Sequence, residues 1–253
     1  SKTYTLPQAK EISPYRYVGV NFNSQGNPNL KPSDNYNLDL KWDFNPTPTE
    51  LVSFTAFYKL IKNPISRIEV ASAGGYLSYE NIADKATVAG VEIEIRKNLF
   101  VRPVSNAAHG MNKLSLGLNG SYIYTNAKMP LATVTTGSQL EGAAPWIVNF
   151  DLSHNFTKGE RSFVNTLVLN YVSDKIYTIG TQGYQDIMEQ GVLTLDFVSQ
   201  AKLNKHLSLN LKARNLLNPS YKLSRKANEN GEKVILNDYK KGINISLGVS
   251  CTF

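Results

Sequence analysis

The sequence predicts an all-β fold: an antiparallel transmembrane β-barrel segment of about nine or ten long strands with long extracellular loops, completed by an amino-terminal part missing from the chain. Three observations carry this expectation. Residues 242–253 alternate, with Ile243, Ile245, Leu247, Val249, Cys251 and Phe253 on one face and Asn244, Ser246, Gly248, Ser250 and Thr252 on the other. The same alternation returns in runs of roughly ten to fourteen residues, the length a tilted strand needs to cross a bilayer and about twice the globular mean. The connections between the runs alternate short and long, as turns on one side of a membrane and loops on the other do.

In chain order, Asn35 to Phe44 sets Tyr36, Leu38, Leu40, Trp42 and Phe44 against Asn37, Asp39, Lys41 and Asp43, a period-two pattern. Pro46 and Pro48 break the ladder, and Leu51 to Leu60 resumes it with Val52, Phe54, Ala56, Tyr58 and Leu60, making a hairpin. Ala86 to Leu99 sets Val91, Ile93, Ile95 and Leu99 against Glu92, Glu94, Arg96 and Asn98; a face so charged is no dry core. Lys113 to Asn126 and Pro145 to Phe156 repeat the pattern, the second with Trp146, Val148, Phe150, Leu152 and Phe156 opposite Asn149, Asp151, Ser153 and Asn155. Ser162 to Ser173 leaves its facing open, because Asn165 interrupts the apolar side formed by Phe163, Leu167, Leu169 and Tyr171. Val192 to Leu203, His206 to Leu217 and the terminal run complete nine strands. Glu11 to Val20 and Lys233 to Leu236 are candidates for a missed one, with Pro14 weighing against the first.

Residues 45–49, 157–161 and 203–205 are short connections, while 61–85, 127–144, 174–191 and 218–238 are long. A periplasmic carboxyl terminus puts every long one outside the cell; only 100–112 is longer than a periplasmic turn should be. Trp42, Phe44, Phe156, Phe163 and Phe253 sit near short turns, and Tyr36, Tyr58, Tyr124, Trp146, Tyr171 and Tyr239 near long loops, as two interfacial girdles would. Residues 1–34 are read as an extracellular loop region with a partial strand and 35–253 as barrel strands, all within one barrel domain.

Composition excludes other classes. A mean hydropathy of -0.28, with no apolar run near the roughly 18 residues a spanning helix requires, leaves strands as the only way across a membrane. The net charge of +7 is dispersed without a basic helix or an aromatic-basic cluster, so no nucleic-acid partner is expected. A single cysteine, Cys251, allows no intrachain disulfide. His109, His154 and His206 have no partners at metal-ligand spacing, and no glycine-rich stretch has phosphate-cradling form, so neither a metal nor a cofactor is expected. No nucleophile and base can be paired, so the chain is not read as an enzyme. Ser1 is not preceded by a charged-then-apolar leader, which reads as a processed chain or one beginning mid-protein.

Two sets of residues are candidates for function. Asp39, Lys41, Glu92, Glu94, Arg96, Asp151, Asp196, Lys202, Lys212 and Arg214 share the lumen-facing parity and suit either a solvated wall or contact with a plug or ligand. On the long loops, Tyr76, Tyr79, Tyr177, Tyr184 and Tyr221, with Arg67 and Arg225 and with Lys175 and Lys226 nearby, offer aromatic platforms beside cations. These suit a sugar, haem, siderophore or peptide equally, and the cations suit lipopolysaccharide phosphates.

Several stretches resemble the carboxyl-terminal part of a TonB-dependent outer-membrane receptor of the kind common in Bacteroidota. Residues 26–33, Gly-Asn-Pro-Asn-Leu-Lys-Pro-Ser, resemble its loop-to-strand motif, with Ser33 where an acidic residue is more usual. Residues 80–86 with Gly90-Val91-Glu92-Ile93-Glu94 resemble its glycine-led acidic strand, and Ala213 to Tyr221 resembles its penultimate strand. Phe253 resembles the family's signal to the barrel-assembly machinery. The resemblance implies a barrel of about 22 strands, a plug domain and a TonB-contacting segment, of which the plug and the first strands are missing here. It implies energised uptake of a nutrient such as a siderophore, haem, glycan or peptide, with periplasmic TonB, outer-membrane lipid and lipopolysaccharide as partners and a surface lipoprotein as a further candidate. The alternatives are a structural barrel subunit of a larger secretion or assembly complex and, behind it, a passive small porin.

Overall fold

The computed structural model describes residues 1–72, 75–104, 110–129, 138–227 and 232–252. Its strands in chain order are β1 (Lys2–Thr5), β2 (Arg16–Tyr17), β3 (Ser24–Gln25), β4 (Ser33–Phe44), β5 (Leu51–Lys62), β6 (Ile65–Val70), β7 (Tyr76–Asn81), β8 (Lys85–Pro103) and β9 (Met111–Ala127). They continue as β10 (Trp146–Lys158), β11 (Arg161–Val172), β12 (Lys175–Thr178), β13 (Ile187–Glu189), β14 (Val192–Lys202), β15 (Leu207–Arg214), β16 (Ser220–Lys226), β17 (Lys233–Lys240) and β18 (Asn244–Cys251). One short helix, α1 (Ala9–Ile12), precedes β2.

Ten strands form one antiparallel sheet in the order β1-β4-β5-β8-β9-β10-β11-β14-β15-β18. All nine strands expected from alternation are in it, and the tenth is β1, paired with β4 from Lys2↔Tyr36 to Thr5↔Ser33. Neither proposed replacement is: residues 11–20 hold the end of α1 and β2, and Lys233 to Leu236 opens β17, all outside this sheet. The sheet does not close within the described residues, leaving β1 and β18 as its edges.

The register confirms one apolar and one polar face. Outward-parity Leu38 and Leu40 are each 71% exposed, and Leu247 equally so. In a soluble sandwich those side chains would be the core; here no protein covers them, and a face of this size suits lipid. Within β8 a bulge between Asn98 and Phe100 resets the alternation, so that Phe100, and not Leu99, opposes Leu114. In β11, the Val168↔Asp151 and Val168↔Asp196 pairings place Val164, Thr166 and Val168 on the polar face. Asn165 therefore lies on the apolar face, accepting a hydrogen bond from Ser199 at 2.7 Å.

The long 100–112 connection is corrected as well. Most of it is strand, since β8 runs to Pro103 and β9 begins at Met111, and only a short tip separates them. Residues 105–109, including His109, lie outside the described residues, as does Phe253. At the same end, β10 and β11 turn through Gly159 at φ +59°, a left-handed conformation that glycine adopts without strain.

At the opposite end the long connections are structured. β2, β3, β7 and β6 form one small sheet and β12, β13, β16 and β17 another. A parallel bridge, Ile68↔Ile179, joins them edge to edge. The dry core of the chain is here: Ile68, Ile82, Ala83, Ala86, Ala127, Leu140, Ile176 and Ile179 are all under 9% exposed. Among the described residues no helix is long and apolar enough to cross a membrane.

Candidate functional site

Asparagines hold the loop layer onto the large sheet. The Asn81 carboxamide accepts from the Lys31 amide at 2.8 Å and donates to the carbonyls of Lys31 at 3.0 Å and Asn63 at 2.9 Å. Ser33 donates its hydroxyl to the same Asn63 carbonyl, and Asn27 donates to the Tyr79 carbonyl. The two motifs at 26–33 and 80–86 are thus two halves of one joint. A second joint connects β15 and β18 to the β16–β17 hairpin. Asn215 and Asn218 have positive φ of 57° and 43°, and Gly242 has +79°. Asn215 donates to the Gly242 carbonyl at 2.7 Å, and the Gly242 amide donates to Asn218 at 3.0 Å. Asparagine tolerates the left-handed region because its amide bonds locally.

Two ion pairs then clamp three of the connections together, and hydrogen bonds to Tyr177 and Thr181 tie in the fourth. Arg67 of β6 bonds Glu141, from the β9–β10 connection, at 2.7 Å, and Glu141 also accepts the Arg67 backbone amide at 2.9 Å. The Arg67 Nε donates to the Tyr177 carbonyl at 3.1 Å, and the guanidinium lies 4.0 Å from the centre of the Tyr177 ring. Arg225 of β16 pairs with Glu69 of β6 and stands 5.4 Å over Tyr184, while Thr181 donates to the Glu69 carbonyl. Both pairs are largely buried, with 15–23% of each side chain exposed. Burial also pushes the Tyr79 phenol above its ordinary value.

Two tyrosine-bordered cavities open on this layer, beside a third of about 330 Å³ lined by Arg225, Lys226 and Lys233 with Asp174, Asp186 and Ser224. The larger, about 480 Å³, is lined by Tyr177, Tyr221 and Tyr239 with Asn21, Asn237 and Glu189. The smaller, about 190 Å³, is lined by Arg67, Tyr79 and Tyr177 with Phe22 and Asn21. Tyr177 borders both. Of the residues singled out from the sequence, Tyr177 and Tyr221 meet in the first cavity and Arg67, Tyr79 and Tyr177 in the second. Tyr76 and Tyr184 line neither, each instead lying under an arginine, Arg16 and Arg225 respectively. Tyr239 is no girdle residue: it sits in β17 opposite Tyr221, with ring centres 5.5 Å apart. The β16–β17 hairpin pattern could have revealed that pair; nothing in the sequence marks Asn21, Glu69 or Glu141.

The ten charged residues singled out on the large sheet all fall on its polar face, whereas Asp34, Lys62, Lys85 and Lys97 fall on the other. Lys41, Glu92 and Glu94 line one cavity with Ser53 and Thr55. Glu94, Arg96 and Asp151 line another, beside Asn119 and Asn149. Asn119 donates to Glu92 at 2.6 Å and accepts from Asn149 at 3.3 Å, while Arg96 pairs with Glu94 at 2.7 Å. Asp196 accepts the Asn215 amide at 2.8 Å, tying the wall to the second joint. Asp39, Lys202, Lys212 and Arg214 share this face through their registers with Phe57, Ser208, Ser246 and Asn244. Among the described residues no group of His, Cys, Asp and Glu could hold a metal ion.

An open sheet of long strands, apolar on one face and charged on the other, with a loop layer over one end, is the geometry in which comparison becomes informative. A family model described as TonB dependent receptor-like, beta-barrel, matches residues 1–216. The chain belongs to that family. It is accordingly part of a β-barrel integral to the outer membrane. Among solved structures it is similar to the copper transporter OprC, with a TM-score of 0.63 and 13% identity over 100% of this chain and 37% of that one. It is also similar to a mutant of the ferric enterobactin receptor PfeA from Pseudomonas aeruginosa, with a TM-score of 0.56 and 16% identity over the same shares. At these identities the likeness is one of fold, and the chain spans 37% of the length of either protein. No curated protein sequence matches it.

Proposed function

We propose that this chain is the carboxyl-terminal part of an energised outer-membrane transport receptor, which captures a nutrient at its loop layer and passes it inward past a plug. The observation that carries the reading is the open ten-strand sheet with unpaired edges at β1 and β18. Each exposed amide in hydrocarbon costs several kcal/mol, so such edges need further strands to close on. Those strands and the plug come from polypeptide preceding Ser1. The loop layer faces outward and the carboxyl terminus the periplasm, in keeping with ordered loops at one end and tight turns at the other. The polar face with Glu92, Glu94, Arg96 and Asp151 then lines the lumen and meets the plug, and TonB supplies energy from the periplasm.

The test takes the native protein from outer membranes. Peptide mapping is expected to find sequence upstream of Ser1, and the purified periplasmic domain of the cognate TonB is expected to bind the receptor. A mature protein that starts at Ser1 and ignores TonB overturns transport. Steady open conductance in planar bilayers would then indicate a passive pore, and stably co-purifying chains a subunit of a larger complex.

A further inference from the structure

Taking its orientation from the receptor reading, we infer that the periplasmic end of β8 is a docking edge for an extended, acidic segment of a separate periplasmic protein, added to the sheet as a further strand. The observation is a step in the rim. From β9 to β18 the strands end level on this side, with Met111 paired to Thr157, Ser162 to Lys202, Lys202 to Ser208 and Leu207 to Cys251. The β4–β5 hairpin stops short of that line, because its last pairing with β8 is Leu51↔Arg96 while β8 continues to Pro103. The hairpin turn fastens the top of the step. The Asn98 amide donates to Glu50 at 3.1 Å and its carboxamide to Thr49 at 2.8 Å. Below that point β8 pairs with β9 alone, from Phe100↔Leu114 to Pro103↔Met111. A strand open on one side presents backbone donors and acceptors in register, which is the template that strand addition uses.

The side chains select the partner. Lys97 and Arg102 are exposed and share the outward face with Phe100, through their pairings with Leu116, Asn112 and Leu114. Among the described residues neither cation is in an ion pair. The Arg102 guanidinium lies 5.5 Å from the centre of the Phe100 ring, which holds the charge beside the edge. On the other face Val101, opposite Lys113, is 51% exposed. A strand with carboxylates next to Lys97 and Arg102 and an apolar residue next to Val101 matches both faces, since opposite charges attract across a ladder and like charges repel. A second copy of the edge would set cation against cation, so the charges that favour an acidic strand also exclude self-pairing. The bulge before Phe100 and the missing N–H of Pro103 bound the open stretch, which makes the contact short and reversible.

The experiment uses the full-length native receptor in detergent with two synthetic probes, an octapeptide alternating glutamate and valine and one alternating lysine and valine. The acidic probe is expected to bind, more weakly as salt rises, and to slow hydrogen exchange at Phe100 to Arg102 at least about tenfold while β10 is unchanged. Lys97→Glu with Arg102→Glu should reverse the preference, which a merely structural role for either side chain would not do; retained heat-modifiable migration shows that the variant is folded. Binding of neither probe, binding indifferent to the double reversal, or binding without slower exchange at residues 100–102 overturns the inference. So does an edge already protected in the isolated receptor, which would assign it to the receptor's own upstream polypeptide, or protection that grows with receptor concentration, which would assign it to a second copy. In intact cells, a receptor carrying Val101→Cys and Cys251→Ser should escape a bulky membrane-impermeant maleimide until the outer membrane is opened; labelling from outside would rule out a periplasmic partner. Probe binding needs no TonB, so a receptor that ignores TonB would sink the transport reading and leave this inference standing.

Discussion

The Arg67–Glu141 clamp gives a quantitative handle on the loop layer. Replacing Glu141 with Gln keeps the shape but removes the charge that faces the guanidinium at 2.7 Å. Fully exposed pairs contribute about 0–1 kcal/mol, and losing one partner of a fully buried pair costs about 3–5. With 23% and 19% of the two side chains exposed, the clamp sits between these limits, and about 2 kcal/mol is a fair discounted value. At about 1.4 kcal/mol per tenfold, that loosens opening of the layer roughly 30-fold. The readout is native-state hydrogen exchange at two amides that report separation of β6 from the segment after β12. Glu69 donates to the Ile179 carbonyl and Ile179 to the Arg67 carbonyl, both at 3.0 Å. Both should exchange about 30-fold faster in Glu141→Gln, while amides of the large sheet such as Leu118 are unchanged. Arg67→Met should do the same, and the double variant should be much less than the sum of the two. Exchange at Glu69 and Ile179 that stays within about threefold of the parent would refute the clamp.

Other perturbations test other parts of the argument. Leu40→Arg, on the exposed apolar face, should destabilise the folded protein in lipid by about 2–4 kcal/mol, while Thr55→Arg on the polar face should cost far less; urea titration in liposomes separates the two. Gly90→Ala should impair assembly, because the added methyl would lie 2.5 Å from the Tyr122 carbonyl oxygen and against the Phe57 ring; the fraction of heat-modifiable protein should fall. Gly242→Ala, at φ +79°, should cost about 1–2 kcal/mol and speed exchange in β16 and β17 while β10 and β11 stay protected. Asn81→Ala should open the first joint, visible as faster proteolysis near residues 26–33 with the large sheet intact.

The large sheet was legible because its signal is local and redundant. In β4, five apolar and four polar residues alternate without a fault from Tyr36 to Phe44, so face and register follow from the period alone. Legibility fails where the period does. At Leu99 a bulge shifts the count by one, and at Asn165 a polar residue on the apolar face is satisfied by Ser199 across the ladder, a partner that becomes visible only once register is known. The length of the β8–β9 hairpin was hidden for a similar reason, since Pro103 reads as a breaker yet ends a strand. In the loop layer the strands are two to eight residues long and their partners are distant. Glu69 and Arg225 are 156 residues apart and Arg67 and Glu141 are 74 apart. The tyrosines announced themselves by type. Their sorting into two cavities depended on those distant contacts.

The placement of the dry core bears on how such a receptor achieves specificity. In the large sheet, the apolar face is stabilised by lipid and the polar face by solvent and by whatever fills the lumen, so neither needs a protein core. The loop layer has no lipid to lean on, and it accordingly buries Ile68, Ile176 and Ile179 as a small globular domain would. That core reaches down to Ala86 and Ala127, which face each other across β8 and β9 and are each 1% exposed. Larger residues there would hold the two layers apart; alanine lets the loop core rest directly on the ends of the barrel strands. With asparagine joints at two corners and two ion pairs across the top, the layer is built as a rigid extension of the barrel. A rigid wall fixes its binding groups before a ligand arrives and so loses little entropy on binding. The affinity of the tyrosine-lined cavity should therefore depend on the Arg67 and Arg225 clamps, although neither guanidinium is on its wall.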